Sequence, residues 1–166
     1  MNDVTVVMII VCFINIHAQD KNFEFLRGVK EFIVEMDYSQ ARFDKELATD
    51  YFMIENERDP NYEAKYKKEM LNKFIVSTNS YLPDGCQVRE NSQSAKYKIV
   101  VKVIKLDKNR NTNADILISI VNSSEILAKF SVYGAAGKFG SFTNLSGDAM
   151  KNVGKNTGNF LAKKVE

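Results

Sequence analysis

The chain has 166 residues, a formal charge of +2, one histidine, two cysteines and no tryptophan. That length suits one domain with its own core, and the near-neutral balance gives no electrostatic reason to bind nucleic acid. With one imidazole and two thiols at most, the common zinc sites built from several His and Cys ligands are excluded.

The first predicted element is an export leader. Residues 4–16 are apolar apart from Thr5 and Asn15, and the run stops at His17-Ala18-Gln19-Asp20. A membrane-crossing helix needs about 20 apolar residues, so this run is too short to span a bilayer. It fits the core of a secretory signal peptide, with small Ala18 before the cut, although Asp3 stands where leaders usually carry a base. The expected organisation is a signal peptide over 1–18 and a single domain over 19–166. Cys12 is a poor lipid anchor, because branched Val11 precedes it where a small residue is wanted. Cleavage would remove Cys12 and the sole histidine, His17, leaving Cys86 alone and expected to be buried and inert. Ser-His-Asp and Cys-His catalysis and an intramolecular disulfide are then excluded, while carboxylate, Lys or Tyr chemistry stays open.

Residues 31–38 alternate with period two. Phe32, Val34, Met36 and Tyr38 share one face, and Glu31, Glu35 and Asp37 the other, as in a half-buried strand. Phe43, Leu47, Tyr51 and Ile54 then form one stripe of a helix, which Pro60 ends. Asp59-Pro60 reads as the cap and first residue of a second helix, with Tyr66, Met70, Phe74 and Tyr81 on its apolar face. Pro83-Asp84-Gly85 is its closing turn.

Three strands follow, over 96–106, 114–121 and 125–133, joined by a polar loop (107–113) and a short turn (122–124). A glycine-rich connection over 134–147 leads to a last helix over about 148–164. The predicted order is β-α-α-β-β-β-α. The fold class is α+β, a mainly antiparallel sheet of about four strands with helices packed on one face.

Four patterns resemble sites. Asp107, Asn109 and Asn111 match the first positions of a calcium loop and Asp115 extends the alternation. Thr112 replaces the glycine and Ile118 the closing glutamate, so a solvated hairpin loop accounts for it better. The segment Gly134-Ala-Ala-Gly137-Lys138-Phe139-Gly140 lies where phosphate loops occur but lacks their spacing, leaving only backbone amides near Ser146. Gly154, Gly158 and Ala162 make a small-residue stripe, a possible interaction surface for the sheet or a partner; lysines at 151, 155, 163 and 164 keep it out of lipid. Glu31, Glu35 and Asp37 suit cross-strand charge pairing with Lys98 and Lys102. No residue set calls for a cofactor, and no nucleic-acid partner or membrane span is expected.

Several stretches resemble a group of small exported Bacteroidetes proteins of unknown function: 36–39 (Met-Asp-Tyr-Ser), 95–102 (Ala-Lys-Tyr-Lys-Ile-Val-Val-Lys), 127–134 and 152–164, with the Ala18-Gln19 junction. More distantly, the arrangement is similar to small α/β envelope modules such as the amino-terminal domain of TolB, which dock onto other envelope proteins. The resemblance implies an exported envelope protein and supplies no catalytic residues. The leading expectation is a non-enzymatic protein-binding or assembly module that contacts another envelope protein. A small-ligand or carbohydrate binder with a pocket under residues 134–147 is the alternative, and a carboxylate-based hydrolase the third.

Overall fold

The computed structural model describes residues 23–166; the expected leader lies outside them. After a 3-10 turn at Glu24–Leu26 come β1 (Glu31–Asp37), β2 (Arg42–Phe43), β3 (Glu46–Leu47), α1 (Ala48–Arg58) and α2 (Tyr62–Asn79). Then follow β4 (Gln87–Arg89), β5 (Tyr97–Leu106), β6 (Thr112–Ile120), β7 (Ile126–Gly134) and α3 (Phe142–Val165). The class is α+β, as expected, with seven strands among the described residues instead of about four.

The β5–β6–β7 meander is antiparallel, and the predicted strands match it closely. On the other side of β5 the sheet turns parallel. β1 pairs with β5 and with β4 in the same direction, so α1 and α2 form the crossover from β1 to β4. β2 pairs with the end of β5 at Lys105 and Leu106.

Both helix starts beside the short strands differ from expectation. Phe43 and Leu47 belong to the β2–β3 hairpin, which Asp44 turns with φ 57°, so α1 begins only at Ala48. α2 begins at Tyr62, not at Pro60; Asn61 precedes it in a left-handed conformation, and the Asp59 carboxylate holds Lys65 at 2.8 Å. α2 ends at Asn79, whose side chain acts as a strand partner. Its amide donates to the Val88 carbonyl at 3.0 Å and its oxygen accepts from Val88 N–H at 2.7 Å, which seats β4. α3 starts at Phe142, earlier than expected, because the Ser141 hydroxyl caps it by accepting from Asn144 N–H.

All three helices cover one face. Phe32 and Val34 of β1, Ile99, Val101 and Val103 of β5, Ile116 and Ile118 of β6 and Phe130 of β7 point into the core, with Phe52, Met70, Phe74, Met150 and Leu161 from the helices. α2 and α3 approach unusually closely. A Cβ on Gly154 would stand 2.6 Å from the Phe74 carbonyl oxygen, and one on Gly158 2.6 Å from that of Thr78. Thr78 Oγ1 donates to the Gly154 carbonyl and Ser77 Oγ to that of Lys151, across the same contact.

Candidate functional site

The face of the sheet turned away from the helices is open. Its rows follow from the register: Glu35, Val100, Leu117 and Lys129 lie side by side, and next to them Asp37, Lys102, Asp115 and Ser131. Ile33, Val100, Leu117 and Leu127 are half-buried there, partly sheltered by long charged side chains. Lys98 pairs with Glu35 at 3.2 Å and Lys129 with Asp115 at 2.7 Å, the cross-strand pairing that the sequence implied for Lys98. Glu31 is held differently, by Ser92 and Ser94 of the segment crossing β1 and by Arg89 at 3.2 Å.

These contacts set an acid dependence. Burial alone would raise the Asp115 carboxyl, but hydrogen bonds from Lys129 and Ser131 hold it below its ordinary value. Asp37 is likewise lowered, its burial outweighed by hydrogen bonds from Ser39 and the charge of Lys102. A group with a depressed folded pKa stabilises the fold above its unfolded value, about 3.9 for Asp, and that contribution is lost as pH falls through the folded value. Stability should therefore drop below about pH 4. Asp115→Asn should shrink that drop, read as the difference between urea midpoints at neutral and acid pH.

The sequence-derived candidates scatter. Asp107 spends its oxygens inside its own loop, accepting from Asn109 N–H at 2.8 Å and from the Asn111 side chain at 2.8 Å. Asn111 Oδ1 accepts from Ala136 N–H, while Asp115 sits on β6 with Lys129; no group of three His, Cys, Asp or Glu among the described residues converges as metal ligands. In the glycine segment, a Cβ on Gly134 would lie 2.1 Å from the Ala149 carbonyl, so this glycine serves close packing. Gly137 lies against the Asp148 carboxylate, which opposes phosphate, and Ser146 is buried inside α3 instead of heading it. Gly154 and Gly158 face α2, not an open surface, and Ala162 is half-buried beside them. Cys86 is buried, which raises its thiol above the ordinary value.

One site was missed from sequence because its parts are far apart in the chain. At the end of the sheet, the β2–β3 hairpin, the loop after β5 and the start of α3 enclose an open cavity of about 330 Å³. Phe43, Tyr51 and Phe142 line it from one side; Tyr51 and Phe142 stack with centroids 4.8 Å apart. These rings belong to a larger cluster with Tyr38, Phe52, Tyr62 and Tyr66. Burial and a hydrogen bond with Tyr62 raise the Tyr51 hydroxyl well above its ordinary value, so it stays protonated. Asp44, Lys45 and Glu46 come from the hairpin and Lys108 and Arg110 from the loop. Arg110 adopts φ 70° and places its guanidinium 4.4 Å from the Phe142 ring centre. An L-residue other than Asn or Asp is uncommon in that conformation. Asp44 and Glu46 are the one acidic pair lining this cavity, and both are exposed on the rim.

Two larger depressions, of about 770 and 580 Å³, lie elsewhere on the surface. A groove along the outer side of α2 and α3 is floored by Val76 and Tyr81 and flanked by Lys73 and Lys151. A notch beside β1 opens where β4 ends, between Met36 and the α2 residues Lys67, Lys68 and Leu71. No helix among the described residues is long and apolar enough to cross a membrane.

No protein-family model matches the chain, and no curated protein does. Among solved structures, it is similar to a PelC dodecamer from Paraburkholderia phytofirmans, at 9% identity and TM-score 0.44, covering 84% of this chain and 91% of that one. It is also similar to protein XCC0632 from Xanthomonas campestris, assigned to family model DUF330, at 8% identity and TM-score 0.41, covering 82% of this chain and 84% of that one. The likeness is a loose one in chain path.

Proposed function

We propose that this protein is a non-enzymatic binding module of the bacterial cell envelope that docks another folded envelope protein on the open face of its sheet. The observation that carries the reading is the composition of that face. Val100 and Leu117 form an apolar centre, and two of the charge pairs that frame it, Lys98 with Glu35 and Lys129 with Asp115, are already closed within the molecule, while Lys102 lies between Asp37 and Asp115. Covering the two closed pairs strands no unpaired buried charge, the main penalty in desolvating a charged surface, and Lys102 has the carboxylates of Asp37 and Asp115 beside it. The export leader expected over 1–18 and the resemblance to small exported Bacteroidetes proteins support the envelope location.

The test is a photo-crosslinking amino acid placed in living cells at Leu117 or Leu127, with exposed Lys65 of α2 as the control position. A single adduct of defined mass is expected from the sheet positions only, and Val100→Lys should abolish it while leaving the thermal midpoint nearly unchanged. The same adduct from Lys65, or none from the sheet, would remove the open face from consideration.

A further inference from the structure

We propose that the end cavity binds a ring-shaped ligand bearing an oxyanion, an acidic sugar being the class that fits best. This site is separate from the open face, and three observations carry it.

The first is the state of Arg110. Its side chain is half-buried over Phe142, yet it makes no ion pair with any carboxylate among the described residues. Its one hydrogen bond, from Nη1 to the Asp107 carbonyl, is 3.5 Å long. A guanidinium stacked on a ring keeps its in-plane N–H fork free, and that fork matches a carboxylate or phosphate. Lys45 and Lys108 line the same cavity and are also without an ion pair among the described residues.

The second is the backbone. Arg110 N–H donates to the Asp107 carbonyl, closing a turn, and residue 110 takes the left-handed position that follows it. Glycine or asparagine fills such a hairpin position with least strain. An arginine there is a poor choice for the turn itself, so its side chain answers to a different demand. The third is the wall. Tyr51 and Phe142, stacked on each other and with Arg110 over Phe142, offer half-buried ring edges as an apolar wall for a sugar ring, and the rim carboxylates Asp44 and Glu46 can accept from hydroxyls. The volume lies at the lower end of small-ligand sites.

The test titrates the protein with digalacturonate, glucose 6-phosphate, inorganic phosphate and neutral cellobiose, following backbone amides by NMR. Saturable shifts at Lys108, Arg110 and Phe142 are expected with at least one of the two ring-borne oxyanions. Whichever binds more tightly tells a carboxylate from a phosphate as the natural anion. Cellobiose and inorganic phosphate should bind at least tenfold more weakly. Arg110→Gly should lose at least tenfold in affinity while its thermal midpoint holds or rises, because glycine suits the left-handed position; Lys108→Gln should lose severalfold. The proposal is overturned if neither oxyanion binds there, if cellobiose or phosphate binds as tightly, or if Arg110→Gly keeps its affinity. A lowered midpoint in Arg110→Gly would assign Arg110 to the fold and overturn it equally.

Discussion

Gly158→Leu is expected to destabilise the protein by about 3 kcal/mol or more, with Gly154→Leu close behind. The reason is geometric. A Cβ at 158 would stand 2.6 Å from the Thr78 carbonyl oxygen and 2.9 Å from Tyr81 Cβ, and one at 154 would meet the Phe74 carbonyl at 2.6 Å. A helix carbonyl cannot rotate away as a side-chain tip can, so α2 and α3 must separate. Separation would break the hydrogen bonds from Thr78 to Gly154 and from Ser77 to Lys151, and would open the core between Phe74 and Val153. Helix propensity acts in the opposite direction, by up to about 1 kcal/mol for removing a glycine, and is too small to compensate. Urea unfolding measures the difference; a loss under about 1 kcal/mol would mean that the helix pair has slack the distances deny. The same geometry disqualifies Gly158→Leu as a probe of partner binding, since lost binding would report a damaged fold.

That glycine stripe shows how far local sequence reaches. The recurrence of Gly154, Gly158 and Ala162 pointed to a close approach, because two glycines on one helix face weaken the helix unless something needs the space. Which surface approaches is a tertiary fact, and it proved to be α2. The meander was legible because β5, β6 and β7 each hold nine or ten residues of clear alternation. The strands β2, β3 and β4 were not, since two or three residues cannot show a period. β4 owes its place to the Asn79 side chain, and no strand propensity in Gln87–Arg89 announces that. The parallel pairing of β1 was hidden for a related reason: alternation fixes which face a residue takes, not the direction of its neighbour.

The end cavity was illegible for a different reason. Residues 107–111 read as a polar hairpin loop, and they are one: Asp107 organises the turn with its own carboxylate. Nothing within that loop says that Arg110 lies over Phe142, a ring contributed by the first residue of α3. The glycine segment lacks the spacing of a phosphate loop, and of the ligand pocket expected under residues 134–147 it lines the end cavity with Phe142 alone, at the helix start that it delivers. The signal that was available is Arg110 itself, a residue ill suited to the turn position that Asp107 and Asn111 define around it.

Phe52→Ala is expected to cost about 3–5 kcal/mol, whereas Ile54→Ala should change stability by well under 1 kcal/mol. The contrast decides between two readings of the same helix. Spacings of four, four and three through Phe43, Leu47, Tyr51 and Ile54 describe a plausible apolar stripe, and they place Ile54 in the core and Phe52 outside it. The hairpin takes Phe43 and Leu47 out of that helix. With α1 starting at Ala48, the inward face is Ala48 and Phe52, one turn apart, and Ile54 is 40% exposed while Phe52 is 2% exposed. Phe52 packs on Phe43 and Tyr66 with ring centroids 5.4 Å away in both cases, and on Tyr38 at 6.0 Å. Truncation would leave a void in the middle of these rings, and partial collapse would move Phe43 and Tyr51, the wall of the end cavity. Phe52→Ala should therefore also weaken any ligand held by Arg110, although it touches neither. Denaturation of the two variants under one set of conditions gives the answer: equal losses would restore the stripe read from sequence, and a large loss confined to Phe52 supports the hairpin that displaced it.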